Sequence, residues 1–213
     1  MAARGRCAGA RRGARRWRAG LAVALALGLA ACGDGDGDAG GEGGVAEPEL
    51  REELLAMQAD DQADRTGGRS SSTDRERTER LAEIVDEHGW PTRSLVGEDG
   101  ASAAWLIAQH SDHDVAFQQE ALELMRDAVT EGEADATELA YLEDRVALNS
   151  GRAQVYGTQV GCVDGRPEVA ELEDPEGVDR RRSEVGLPPL EVYLADLADD
   201  CAAEAATATT AGG

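Results

Sequence analysis

A short polar segment near the middle of the chain carries residue types that bind metal ions or transfer protons. It reads QHSDHD (109–114), and on one helical face His110, His113 and Asp114 would be spaced by three and four residues. Imidazole and carboxylate groups at this spacing form a partial zinc site or an acid–base centre. His88 is the one other histidine, and neither HExxH nor CxxC occurs, so further zinc ligands are scarce.

The same residues also fit a junction between two helices. Asp114 opens a strongly periodic stretch, where an N-cap aspartate would accept hydrogen bonds from backbone N–H groups. His110 would close the preceding helix, where the helix dipole favours a cation. We therefore favour a junction over a metal site and expect neither metal nor cofactor. The alternative is a hydrolase with a His/Asp centre, with or without a metal, built from His110, His113 and Asp144.

A second candidate is the segment QVYGTQ (154–159). Gly157 would allow the backbone to approach a ligand closely, and the flanking side chains form hydrogen bonds without carrying charge. The alternative is a hairpin edge whose alternate side chains face water, and the pattern does not separate the two. The candidate ligand-binding residues are Trp90, Gln118, Arg145, Gln154, Tyr156, Thr158 and Gln159.

The N-terminus has the layout of an export signal. Seven arginines and no acid precede the apolar run LAVALALGLA (21–30), which is too short to span a bilayer. The run ends in LAAC, which resembles the lipobox of bacterial lipoproteins, where the signal is cut before a lipidated cysteine. We expect a signal peptide at 1–31 and a lipid on Cys32, followed by a Gly/Asp tether to residue 46. A secretory signal with a chance cysteine is the alternative.

The charge balance excludes nucleic acid as a partner. The formal charge of −22 becomes −29 when the signal removes seven arginines and no acids, whereas phosphate binding needs clustered positive charge. An anionic membrane surface would also repel this domain, so the lipid must hold the protein on the outer face of the cytoplasmic membrane. About 150 residues remain for one modest core. We expect a single domain at 47–201 and a disordered tail at 202–213.

Two cysteines, Cys162 and Cys201, lie beyond the lipobox. In an oxidising compartment an even pair usually forms a disulfide. Two free thiols or a metal pair are the alternatives, but no histidine lies nearby in the sequence. We therefore expect a disulfide between them.

Hydrophobic periodicity predicts a mainly α-helical domain of about six helices with one short β-hairpin. Because Pro91 disfavours helix at Trp90, residues 90–100 are expected to form a loop before a short buried helix. Asp164-Gly165 lies between short apolar runs, which is a strong signal for a hairpin turn. The helical segments are expected at 47–65, 74–89, 101–110, 114–132, 135–151, 175–186 and 187–200.

Four segments resemble a family of uncharacterised bacterial proteins known only as a domain of unknown function. They are HGWPTRSLVG, AAWLIAQHSDHDVAFQ, AYLEDRVALNSGRAQVYGTQ and VDRRRSEVGLPPLEVY, and together they cover roughly residues 47–194 in order. The resemblance implies a mostly helical domain, often exported, without an established activity or catalytic residues. We therefore expect a lipid-anchored domain that binds a small polar ligand, glycan or peptide at the cell envelope.

Overall fold

The computed structural model of the protein describes residues 45–211. This part is mainly helical with one antiparallel hairpin, as hydrophobic periodicity predicted, and none of its helices combines the length and apolar character needed to cross a bilayer. The elements are α1 (Pro48–Thr66), α2 (Asp74–His88), α3 (Arg93–Gln109), α4 (Val115–Thr130), α5 (Ala136–Asn149), β1 (Val160–Val163), β2 (Arg166–Val169), α6 (Val178–Glu184), α7 (Leu190–Asp196) and α8 (Ala198–Ala211). The expected signal peptide, Cys32 and most of the tether lie outside the described residues.

Helix α3 lies at the centre of the domain and packs against α1, α2, α4 and α5. Five of its eight buried positions are glycine or alanine, and these small residues allow the neighbouring helices to approach closely. The larger core side chains come from the surrounding helices. They include Leu54, Leu81, Ile84, Met125, Leu142 and Val146.

Side-chain caps explain why several helices begin where they do. Thr73 and Glu76 form a reciprocal capping box at the start of α2. Asp135 accepts hydrogen bonds from the backbone N–H groups of Thr137 and Glu138 at 2.8 and 3.1 Å, which confirms the predicted start of α5. The Glu138 side chain does not complete a second capping box, because it is hydrogen-bonded to Ser102 of α3 instead.

The prediction of a loop at residues 90–100 is wrong for most of this segment, because α3 already begins at Arg93. Gly97 interrupts the helix with a left-handed backbone (φ 79°), which glycine adopts without strain. The carbonyls of Ser94 and Leu95 accept hydrogen bonds from the backbone of Ala46 and Glu47 at 3.3 and 2.8 Å. The segment that precedes α1 therefore stabilises a helical turn that sequence alone does not predict.

The C-terminal region also differs from expectation. Helix α8 runs to Ala211, although residues 202–213 were expected to be disordered. A disulfide between Cys162 of β1 and Cys201 of α8 confirms the predicted bond. It ties α8 to the hairpin, where Gly165 lies close to Ala205. Long-range attachment to the hairpin thus supports a helix whose own sequence has little apolar periodicity.

Candidate functional site

The QHSDHD segment forms the junction between α3 and α4. His110 caps α3 at its C-terminus, and the Asp114 carboxylate accepts a hydrogen bond from the backbone N–H of Phe117 at 3.0 Å. The predicted helix junction is confirmed. His113 is exposed here, and within residues 45–211 no group of three or more His, Cys, Asp or Glu side chains is arranged to hold a metal ion.

His110 pairs with a carboxylate that sequence reasoning missed. Its Nδ1 lies 3.0 Å from both carboxylate oxygens of Asp61, a fully buried residue of α1. Asp61 also forms an ion pair with Arg65 at 2.9 Å and accepts a hydrogen bond from Gln62 at 2.9 Å. His110 and Asp61 are 49 positions apart, and no local motif signals their contact.

Asp112 connects the same junction to α5. The Arg145 guanidinium forms a bidentate ion pair with the Asp112 carboxylate, with N–O distances of 2.8 and 2.7 Å, and Asn149 donates to it at 2.9 Å. Burial acts to raise the pKa of Asp112, but the Arg145 charge and these hydrogen bonds outweigh burial and hold the pKa below its usual value. Arg145 is therefore engaged with the protein.

Gln118 closes the C-terminal end of α3. Its fully buried amide donates to the carbonyls of Ala108 and Gln109 at 3.1 and 3.3 Å, and its oxygen accepts from Asn149 at 2.8 Å. The last carbonyls of a helix have no partner within the helix. Gln118 supplies that partner, which accounts for a buried amide without requiring a ligand.

Asp144 organises the QVYGTQ loop. Its fully buried carboxylate accepts hydrogen bonds from the backbone N–H groups of Val155, Tyr156 and Thr158 at 2.7, 3.0 and 2.8 Å. The Thr158 hydroxyl donates to it at 2.9 Å. Asp144 therefore has a positioning role, because its oxygens are occupied by the loop that it holds.

The loop is also closed on itself. The Gln154 amide donates to the Gln159 carbonyl at 3.0 Å and accepts from the Gln159 N–H at 2.8 Å. Gly157 has a left-handed backbone (φ 69°) and is buried; a Cβ there would lie 3.2–3.3 Å from the side chains of Leu172, Leu190 and Val169. A side chain at this position would therefore be strained and crowded.

The structure brings most of the predicted ligand-binding residues together as one hydrogen-bonded network. Gln159 completes the network, because its oxygen accepts from Arg145 at 3.0 Å. Trp90 does not join it, since it is 5 % exposed and packs in the hydrophobic core. Within the network, sequence reasoning missed Gln109, Asp112 and Asn149, whose positions at helix ends gave no distinctive signal. The network links Gln109, Asp112, Gln118, Asp144, Arg145, Asn149, Gln154, Thr158 and Gln159.

A cleft lies beside this network, between α4, α5 and the QVYGTQ loop. It consists of two cavities of about 330 and 380 Å³, which share Arg126 and Arg152 in their linings. Val155 of the loop lines the first cavity, so the backbone that Asp144 holds forms part of its wall. The first cavity is lined by Arg126, Glu143, Ala147, Arg152, Ala153, Val155 and Glu173, and the second by Gln119, Leu122, Glu123, Arg126, Val146 and Arg152.

The charges in this cleft are unevenly paired. Arg126 forms ion pairs with Glu123 and Glu143 at 2.6 and 2.8 Å. Arg152 and Glu173 are exposed, and within residues 45–211 neither charged group forms an ion pair or a side-chain hydrogen bond. One free cation and one free anion therefore line the same concave surface.

Glu138, at the contact between α5 and α3, is an unusual carboxyl group. Burial raises the pKa of Glu138 to about 7, and the Asp135 charge adds to this effect, while the Ser102 hydrogen bond opposes it. Folding therefore favours the protonated form. The protonated Glu138 adds to the free energy of unfolding. This contribution is fully present below pH 4.5, the ordinary pKa of the group, and is lost as the pH rises through about 7.

We expect Glu138→Gln to stabilise the protein above pH 7, by an amount on the order of 1 kcal/mol, and to have little effect near pH 4. The amide keeps the shape of the protonated carboxyl but cannot ionise. Urea unfolding of both proteins between pH 4 and pH 8 measures the difference. Glu184→Gln, at an exposed α6 position, is the matched control; equal pH profiles for wild type and Glu138→Gln would refute the assignment.

Comparison with known proteins identifies a family. The model of a family of unknown function (DUF6624) matches residues 48–204, which confirms the resemblance that the sequence motifs indicated. No curated protein and no solved structure matches the chain.

Proposed function

We propose that this chain, which belongs to the family of unknown function, binds a small zwitterionic, peptide-like ligand at the cell envelope. The proposed site is the cleft between α4, α5 and the QVYGTQ loop. The observation that carries the proposal is the pair of unpaired opposite charges, Arg152 and Glu173, in the lining of one cavity. A lipid on Cys32 would hold the domain at the outer face of the cytoplasmic membrane.

The charge balance makes an unpaired arginine in a cleft informative. Acidic residues outnumber arginines by 43 to 14 once the signal is removed, and ten of the 14 arginines within residues 45–211 have a carboxylate partner. Arg152 nevertheless lacks one within the described residues. A ligand carboxylate would meet a guanidinium that can form two parallel hydrogen bonds with it, while a ligand amine would meet Glu173.

A neutral glycan would use neither of these charges. The loop offers few further contacts, because Asp144 already occupies the backbone N–H groups of Val155, Tyr156 and Thr158. The loop therefore serves as a rigid wall of the cleft, and recognition falls to the charged side chains. This favours a peptide with free amino and carboxyl groups over an uncharged sugar.

Binding is tested by titrating ¹⁵N-labelled protein with three probes: a tripeptide with free termini, the same peptide with both termini blocked, and a neutral tetrasaccharide. We expect the free tripeptide alone to shift the resonances around Arg152, Val155 and Glu173. Arg152→Gln should weaken this binding by about tenfold or more, since a charge-assisted hydrogen bond contributes roughly 1.5–3 kcal/mol.

Arg69→Gln is the matched control, because Arg69 is exposed and likewise has no ion pair within the described residues, but it lies between α1 and α2. It should bind the free tripeptide like the wild type. Equal responses to the blocked peptide or to the tetrasaccharide would contradict a charge-based site. An unchanged affinity in Arg152→Gln would do the same.

Anchoring is tested separately in cells. We expect Cys32→Ala to move the protein from the membrane fraction to the soluble fraction, or to leave the signal uncut, because the acyl chains supply about 0.8 kcal/mol per buried methylene. Fractionation and intact mass report both outcomes. Cys7→Ala, which changes a cysteine within the predicted signal, is the control. Full membrane retention of a normally cleaved Cys32→Ala protein would exclude lipid anchoring at this residue.

A further inference from the structure

We propose that His110, positioned by Asp61, is a general base that hydrolyses neutral acyl esters, at a site separate from the cleft. The two residues connect α3 and α1, and neither lines the cleft cavities. The proposal therefore stands independently of peptide binding. It rests on three features of the pair: the orientation of the imidazole, the accessibility of its second nitrogen and the charges around it.

The orientation of the imidazole follows from its partner. The Asp61 carboxylate accepts a hydrogen bond from Gln62 and forms an ion pair with Arg65, and a carboxylate has no proton to donate. The proton in the His110–Asp61 contact therefore belongs to Nδ1, which donates to the carboxylate at 3.0 Å. This assigns the lone pair of the neutral ring to Nε2, the arrangement that a general base requires.

The second nitrogen remains accessible. His110 Nε2 forms no hydrogen bond within residues 45–211, and the His110 side chain is 18 % exposed. Among the described residues, the buried polar side-chain atoms without a partner are Arg77 Nε, Trp90 Nε1, Trp105 Nε1, Gln109 Oε1 and Arg182 Nη2. Because Nε2 is not one of these buried atoms, part of its surface is accessible to water.

Asp61 is held firmly enough to keep the ring in place. It is fully buried and lies 2.9 Å from Arg65 and 3.9 Å from Arg77. Arg77, itself buried, is tied to Asp64 and Asp74 at 2.8 and 2.6 Å. A positioning carboxylate fixed in this way stabilises the imidazolium that forms when His110 takes up a proton.

The surrounding charges favour an uncharged ester over an anionic one. Three carboxylates, of Asp61, Asp64 and Asp74, and two guanidinium groups, of Arg65 and Arg77, form the cluster, and the chain carries a large acidic excess. A phosphate ester would be repelled by this field. An uncharged acyl ester is not repelled, and its hydrolysis needs only an activated water molecule.

In the proposed step, Nε2 of His110 removes a proton from water as the water oxygen attacks the ester carbonyl carbon. The tetrahedral intermediate then collapses and breaks the bond between the carbonyl carbon and the alkoxy oxygen. The imidazolium returns its proton to the leaving oxygen. The products are a carboxylic acid and an alcohol, and His110 is regenerated without any oxidant or other reactant.

The test uses the purified full-length protein with p-nitrophenyl acetate as a neutral ester and p-nitrophenyl phosphate as its charged counterpart. We expect hydrolysis of the acetate only, reduced about 100-fold by His110→Gln, as is typical for loss of a general base. Asp61→Asn should lower the rate and shift its pH profile. His113→Gln, the matched control at an exposed position, should hydrolyse the acetate like the wild type.

A second measurement does not depend on any variant folding. Long-range ¹H–¹⁵N spectra of the wild type should show that the neutral His110 ring carries its proton on Nδ1, as its contact with Asp61 requires. Hydrolysis that persists in His110→Gln would overturn the proposal. So would a His110 ring protonated on Nε2, or preferential cleavage of the phosphate.

Discussion

Replacing Asp144 by alanine is expected to destabilise the domain by about 3–5 kcal/mol, the largest effect of any single side-chain substitution described above. The carboxylate accepts hydrogen bonds from three backbone N–H groups, of Val155, Tyr156 and Thr158, and from one hydroxyl. Each donor left buried and unpaired costs roughly 1–3 kcal/mol, and partial entry of water into the loop limits the total. Urea unfolding monitored by circular dichroism measures the loss.

Hydrogen exchange should locate this effect. The amides of residues 155–158 should lose protection in Asp144→Ala. The amides of α1 and α2 should lose only as much protection as the lower global stability requires. Asp144→Asn retains one accepting oxygen and should lose less stability than the alanine variant. Glu143→Gln, one position earlier and paired with Arg126 near the surface, should change stability by about 0.5 kcal/mol or less. A loss below 1 kcal/mol in Asp144→Ala would contradict the positioning role.

The second large effect is expected from breaking the disulfide between Cys162 and Cys201. The bond closes a loop of 39 positions, and restricting an unfolded loop of that length corresponds to about 4 kcal/mol in the chain-entropy model. Helix α8 packs against β1, β2 and α7, so its attachment depends on this region of the chain. Exchanging both cysteines for serine should lower the melting temperature and expose the α8 amides to exchange.

Reducing agent provides the matched control. It should lower the melting temperature of the wild type to that of the double serine variant and leave the variant unchanged. The core around α3 should keep its exchange protection in both cases, because the disulfide joins elements outside that core. A wild type whose melting temperature is the same with and without reductant would show that the disulfide contributes nothing to stability.

Features set by neighbouring residues were predictable from the sequence. The helices α1, α2, α4 and α5 follow from apolar residues at helical spacing, and the start of α4 at Asp114 follows from its capping preference. Asp164-Gly165 predicted the hairpin, in which both residues adopt positive φ values of 52° and 76°. The turn at 93–96 and the extent of α8 were missed, because distant backbone contacts and a disulfide stabilise them.

The polar contacts depend on how the helices pack against each other. His110 meets Asp61 across 49 positions, and Arg145 meets Asp112 across 33, and a hydrogen bond requires each pair of atoms to come within about 3 Å. Periodicity places a residue on a face of its own helix but leaves the partner helix and its register undefined. The candidates could therefore be named from their chemistry, whereas helix packing determined which of them hold the fold together and that His110 keeps a free nitrogen. It also brought Arg152 and Glu173, which the sequence did not single out, into the lining of one cavity.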